Sequence, residues 1–169
     1  MVERKIVFDD KRIKYDGIFD AKGLFDVVRD WASDKGYWIV EKMHAESLKP
    51  EGKFIEFMLN PVFKKFTDYA RGLFKIKIQL SKVKDVVVEQ DGKKVKLQDG
   101  SVSIKIDGIL DTDYEGKWET KPLLYFLRTV FEKYVFTSAL AKFETQIIDD
   151  GGVLETHLKS FLNLGKFRN

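Results

Sequence analysis

Residues 74–80 read FKIKIQL, and this stretch decides the fold because apolar and polar side chains alternate in it without interruption. Successive side chains of a strand point to opposite faces, so the alternation predicts a strand with one buried and one solvated face. Residues 102–110, VSIKIDGIL, repeat the alternation. Two QDG triplets, at residues 90–92 and 98–100, supply residues that tolerate the positive φ of tight hairpins. We therefore predict an antiparallel meander over residues 73–110.

A helix is predicted on the N-terminal side of this meander. Residues 21–36 carry apolar side chains at helical spacing, between the candidate N-cap Asp20 and the glycine Gly36. Glycine adopts the left-handed conformation that ends many helices, so Gly36 suits the stop. We expect this helix to lie on the sheet.

A second helical pattern follows Pro122, where the apolar period changes from that of a strand to that of a helix. Proline is tolerated in a first helical turn, so we predict a long helix from Pro122 toward Ile148 that lies across the sheet. The DDGG sequence at residues 149–152 predicts the end of this helix. Residues 153–164 then form a short amphipathic helix whose apolar side needs a partner surface, either its own sheet, another protein or a second copy.

This order of elements predicts an α+β fold, with a curved antiparallel sheet of about five to seven strands packed on a long C-terminal helix. One helix follows the first strands. We interpret residues 1–169 as a single domain, in which residues 151–169 are a short C-terminal amphipathic appendage.

At the level of topology, this order resembles the helix-grip architecture of START and Bet v 1-like proteins, in which a curved sheet grips a long terminal helix. The resemblance implies a cavity between sheet and helix that holds an apolar small molecule. Core packing is the alternative role for the residues expected there. These candidate cavity residues are Trp31, Phe74, Ile104, Trp118, Phe131 and Tyr134.

Composition narrows the classes of function. The chain has no Cys, which excludes disulfides, thiolate metal sites and cysteine nucleophiles. No secretory signal or membrane span is recognisable, so we expect a cytoplasmic protein. A charged fraction of 34% with few amide side chains leans toward a thermophilic source. The two histidines, His44 and His157, lack metal-ligand spacing, and we predict neither a metal nor a cofactor.

Basic residues are concentrated in the meander, with 11 Lys and Arg against 5 Asp and Glu in residues 64–105. A solvated sheet face that resists edge pairing is one interpretation, and a polyanion-binding face is the other. The candidate polyanion-binding residues are Lys75, Lys77, Lys94, Lys96 and Lys105.

Three functional hypotheses follow from these patterns. The preferred one is a non-enzymatic binding or assembly module, with an apolar small molecule between sheet and helix as its expected ligand. The alternative is a nucleic-acid or ribosome-associated protein that uses the basic sheet face. The third is an enzyme that uses the carboxylates Asp111 and Asp113, since paired acids can divide general acid and base roles.

Overall fold

The secondary structure consists of six strands and three helices in the part of the chain that the computed structural model describes, namely residues 2–40, 42–116, 121–134 and 136–166. The elements are, in chain order, β1 (Glu3–Phe19), α1 (Ala21–Lys35), β2 (Trp38–Ile39), β3 (Lys42–Lys49), β4 (Gly52–Lys65), β5 (Ala70–Gln90), β6 (Lys93–Thr112), α2 (Pro122–Tyr134) and α3 (Thr137–Lys166).

The strands form one antiparallel sheet in the order β1-β6-β5-β4-β2, and β3 also pairs with β4. The register places Ile78 of β5 opposite both Ile104 of β6 and Phe57 of β4, and Ile104 opposite Ile13 of β1. These four side chains therefore form one apolar row across the inner face. The predicted α+β class, with an antiparallel sheet against a long C-terminal helix, is confirmed.

Two aromatic residues tie the inner face of the sheet to α1 and α3. Trp31 of α1 meets Phe74 edge to face at 5.1 Å and stacks on Tyr37 at 5.2 Å between ring centroids. The Trp31 Nε1 donates to the Asp150 carbonyl at 2.9 Å, and the Tyr37 hydroxyl donates to Asp150 Oδ2 at 2.8 Å. Burial raises the pKa of Tyr37, and its hydrogen bond to Asp150 adds to the increase, so the phenol stays a neutral donor.

The helix end predicted at residues 149–152 is wrong, because α3 continues through both glycines to Lys166. Gly151 lies against the sheet, where an added Cβ would come within 2.6 Å of Phe8 Cζ. Glycine therefore allows the close approach of helix and sheet here, and packing outweighs its low helix propensity. Residues 151–166 belong to α3 and are not an appendage.

The apolar side of this last part of α3 is covered by the protein's own domain. Leu154 and Leu158 are fully buried, and Leu162 is nearly so. Residues 153–164 therefore pack on their own domain, which is one of the three partner surfaces expected for them.

The expectation of one helix from Pro122 to Ile148 across the sheet is also wrong. The helix that begins at Pro122, α2, ends at Tyr134, and α3 is the helix that covers the sheet. The Thr137 hydroxyl lies 2.7 and 2.8 Å from the carbonyl oxygens of Glu132 and Lys133 and shares its one proton between them, so these free carbonyl groups of the last turn of α2 have a local donor. Thr137, the first residue of α3, thus caps the end of α2, which the apolar periodicity conceals.

Candidate functional site

The most exposed apolar surface on the described helices is the outer side of α2. Five large side chains there recur at helical spacing and therefore share one face, with exposed fractions between 38% and 72%. A contiguous apolar surface of this kind on a folded domain is a candidate interaction site. We call these residues the α2 stripe, and they are Leu123, Phe126, Leu127, Val130 and Tyr134.

The opposite side of α2 is attached to the domain by ion pairs around Arg128, the one buried residue of this helix. Its guanidinium lies 2.5 Å from Glu3, 3.4 Å from Asp113 and 3.3 Å from Glu132. The Tyr69 hydroxyl donates to Glu132 and accepts from Arg128 Nε at 3.1 Å. Burial raises the pKa of Glu132, and repulsion from Glu3 adds to the increase. We call this set the Arg128 clamp.

Two half-buried side chains complete the inner side of α2. The Phe131 ring stacks on Phe136 at 5.3 Å between centroids, and Leu124 is also partly covered. The charged group of Arg128 nevertheless lies deepest, while most of the large apolar side chains of α2 are exposed. This polarity is the inverse of an ordinary surface helix, whose apolar stripe faces the core.

The candidate catalytic carboxylates are both held by guanidinium groups. Asp111 is fully buried and accepts two hydrogen bonds from the Arg4 guanidinium, of 2.8 and 3.0 Å. Arg71, from the strand on the other side, reaches the same carboxylate at 3.2 Å. Asp113 belongs to the Arg128 clamp. Both arrangements are typical of structural ion pairs, since Asp111 joins three strands and Asp113 joins the end of β6 to α2.

A basic groove of about 320 Å³ lies on the solvated face of the sheet. Lys77, Lys105 and Arg12 stand directly opposite one another on β5, β6 and β1, so three cations form one row across the groove. Lys75 lines it as well. Acidic neighbours offset part of this charge, since Glu56 lies 3.6 Å from Lys77.

The five candidate polyanion-binding residues do not all meet in this groove. Lys75, Lys77 and Lys105 line it, whereas Lys94 and Lys96 lie near the turn between β5 and β6. Lys96 is 3.5 Å from Asp85 there. The structure therefore gathers three of the five lysines and adds Arg12 to them.

The six candidate cavity residues occupy different places in the fold. Trp31, Phe74 and Ile104 are core side chains with at most 1% exposure. Phe131 is half-buried on the inner side of α2, and Tyr134 belongs to the α2 stripe. Trp118 lies outside the described residues. These residues therefore do not line one common cavity among the described parts of the chain.

A shallow groove of about 270 Å³ lies between α1 and the β3–β4 pair. His44 stacks over Phe57 at 4.3 Å between ring centroids, and Phe25 meets the same ring edge-on at 3.9 Å. His157, the other histidine, is exposed on α3. Within the described ranges, no group of three or more potential ligand residues is placed to hold a metal ion.

A scan against models of known protein families finds no match, and a search of curated proteins finds no relative. None of the helices described here is both long enough and apolar enough to cross a membrane. A fold by itself does not define a function, so we consider the α2 stripe and the basic groove as candidate functional features.

Proposed function

We propose that this protein is a non-enzymatic docking module that attaches to its partner surface through α2. The observation that carries the proposal is the inverted polarity of this helix, with Arg128 buried and Phe126 and Tyr134 largely exposed. A helix whose apolar side faces solvent is stabilised when a second surface covers that side. Covering half-exposed side chains of this size contributes roughly 1 kcal/mol each, which is sufficient to drive association across the whole stripe.

The Arg128 clamp supports this proposal because it sets the orientation of α2. Three carboxylates and one phenol surround a guanidinium with fixed donor directions. Rotation of the helix about its axis would break several of these contacts at once. The α2 stripe is thus presented in one direction before any partner arrives, which reduces the ordering that docking requires.

Photo-crosslinking in cells of the source species tests the proposal. A photoreactive phenylalanine analogue in place of Phe126 is expected to form adducts that mass spectrometry identifies as protein or lipid. The same analogue in place of Leu48, which is 82% exposed on β3, is the matched control. Adduct yields at position 126 that do not exceed those at position 48 would remove the proposal.

A second candidate function, polyanion binding, is favoured by the row formed by Lys77, Lys105 and Arg12. A groove with several cations gains affinity by displacing counterions from a nucleic acid. The three cations reach the groove from three different strands, so the rigid sheet fixes their spacing.

A charge-reversal pair tests this second candidate. The Lys75→Glu/Lys77→Glu variant is expected to weaken binding of single-stranded RNA by roughly tenfold or more, with affinity falling steeply as salt rises. The Lys94→Glu/Lys96→Glu variant makes the same change in charge away from the groove and should have a much smaller effect. Fluorescence anisotropy measures both. An equal loss in the two variants, or RNA binding insensitive to salt, would argue against a site in the groove.

A further inference from the structure

The exposed side of α2 carries positive charge and no negative charge. Lys121, immediately before the helix, and Lys133, near its end, are both exposed. Glu132 is the one acid between Pro122 and Tyr134, and it is directed toward Arg128 and Tyr69 in the clamp. The surface offered to a partner is therefore an apolar stripe with a cation at each end.

Tyrosine and lysine side chains at the edge of this surface suit a boundary between water and hydrocarbon. Tyr134 is 72% exposed at the C-terminal end of the stripe, and Lys133 Nζ lies 5.5 Å from the centre of its ring. Both residue types combine an apolar body with a polar tip, and such side chains collect at membrane interfaces. The 13 residues of α2 would lie along such an interface over roughly 20 Å.

A second copy of the chain fits this surface less well. If two α2 helices packed antiparallel about a two-fold axis, Lys121 would face Lys133 of the second copy. In a parallel pair, each lysine would face its own equivalent. The exposed positions of α2, all of them described, offer no acid to neutralise either arrangement. Anionic headgroups would supply that charge.

On these grounds we propose that α2 docks on the surface of an anionic lipid membrane, lying in its interface with the α2 stripe directed inward. This inference rests on the proposed function and names the partner surface. The stripe supplies the apolar contact, and Lys121 and Lys133 supply the preference for negative headgroups.

Vesicle co-sedimentation of the full chain tests the inference. Vesicles of phosphatidylcholine alone are compared with vesicles containing roughly one third phosphatidylglycerol. Because each of the two lysines near an anionic surface contributes about a fivefold gain, we expect roughly 25-fold tighter binding to the anionic vesicles. Lys121→Gln/Lys133→Gln should remove most of this preference. The stripe variant Phe126→Gln/Val130→Gln should weaken binding to anionic vesicles by about tenfold or more.

The matched control removes apolar side chains elsewhere on the surface. Leu48→Gln/Val87→Gln changes residues that are 82% and 69% exposed, and it should bind anionic vesicles like the wild type. Circular dichroism checks that each variant is folded. Equal vesicle binding by the stripe variant and the wild type would overturn the membrane inference.

Two further outcomes separate the membrane inference from the docking proposal. Absence of vesicle binding together with protein adducts at position 126 would overturn the membrane inference and leave docking intact. A dimer in analytical ultracentrifugation that the stripe variant abolishes, without vesicle binding, would assign a second copy instead. Absence of vesicle binding, dimerisation and adducts would overturn both.

Discussion

Replacing Gly151 with valine is expected to lower the free energy of unfolding by roughly 3 kcal/mol, because helix α3 touches the sheet at this position. An added Cβ would lie 2.6 Å from Phe8 Cζ and 3.2 Å from Phe74 Cε1. The Phe8 ring also lies close over Gly108 of the sheet, where an added Cβ would overlap it, so the ring cannot shift toward the sheet. The helix would have to lift from the sheet, and urea denaturation measures the loss.

Gly152 provides the matched control, since it is the next residue of the same helix and a Cβ added to it would meet no atom within 4 Å. Gly152→Val should leave stability within about 0.5 kcal/mol of the wild type, because valine has a somewhat better helix propensity than glycine. Similar stabilities for the two variants would show that α3 does not approach the sheet through Gly151.

Replacing Arg128 with alanine is expected to lower the free energy of unfolding by roughly 3 kcal/mol, the loss typical of breaking a buried ion pair. The Asp113 side chain is 2% exposed and would stay buried without its guanidinium partner. The Tyr69 hydroxyl and Glu132 would lose the same partner. Urea denaturation measures the loss of stability. Backbone amide hydrogen exchange should become faster in α2 than in α3.

Lys133→Ala removes an exposed cation from the same helix and should change stability by no more than about 0.5 kcal/mol. Arg128→Lys should recover only part of the loss, because an ammonium cannot reproduce the directions of the guanidinium donors. If Arg128→Ala unfolds at the wild-type urea concentration and leaves exchange in α2 unchanged, the clamp does not hold the helix.

The sheet and α1 could be predicted from sequence because their signals are local. Alternation along residues 74–80 and 102–110 assigns both strands and their buried faces, and the observed register pairs them as one antiparallel hairpin. Likewise Gly36, at φ 76°, ends α1 as predicted. Each of these features depends on residues that are close together in the sequence, so the sequence of one chain is sufficient to predict it. The hairpin predicted at residues 98–100 is wrong, because β6 continues through this triplet from Lys93 to Thr112, and only the triplet at residues 90–92 forms a turn.

The two errors about the helices have a common physical cause in contacts between distant residues. Gly151 lies within α3 because the helix packs closely on the sheet there. Phe8, near the other end of the chain, leaves no room for a side chain at this position. The apolar side of α2 was expected to face the sheet, yet α3 occupies that position. A helical projection does contain a signal for the clamp, since Arg128 falls opposite Leu123 and Val130. Its partners Glu3 and Asp113 could not be inferred from spacing.

The basic groove was predicted in part for a similar reason. Lys75 and Lys77 share a strand face by simple alternation, and this part of the prediction needs no partner strand. The register between strands decides which residues of β6 and β1 lie opposite these lysines, and alternation does not reveal it. The prediction therefore does not include Arg12. Binding of an apolar ligand and binding of a nucleic acid both stay predictions.

Cysteine labelling measures most directly whether the α2 stripe faces away from the domain, because the natural chain contains no Cys and one introduced thiol reports alone. Phe126→Cys is compared in the monomer with Leu48→Cys, at a position 82% exposed, and with Leu158→Cys, at a fully buried position. We expect the thiol at 126 to react with a maleimide as fast as the thiol at 48, while the thiol at 158 stays protected. Protection at 126 equal to that at 158 would mean that the stripe packs on its own domain, and it would contradict docking through α2.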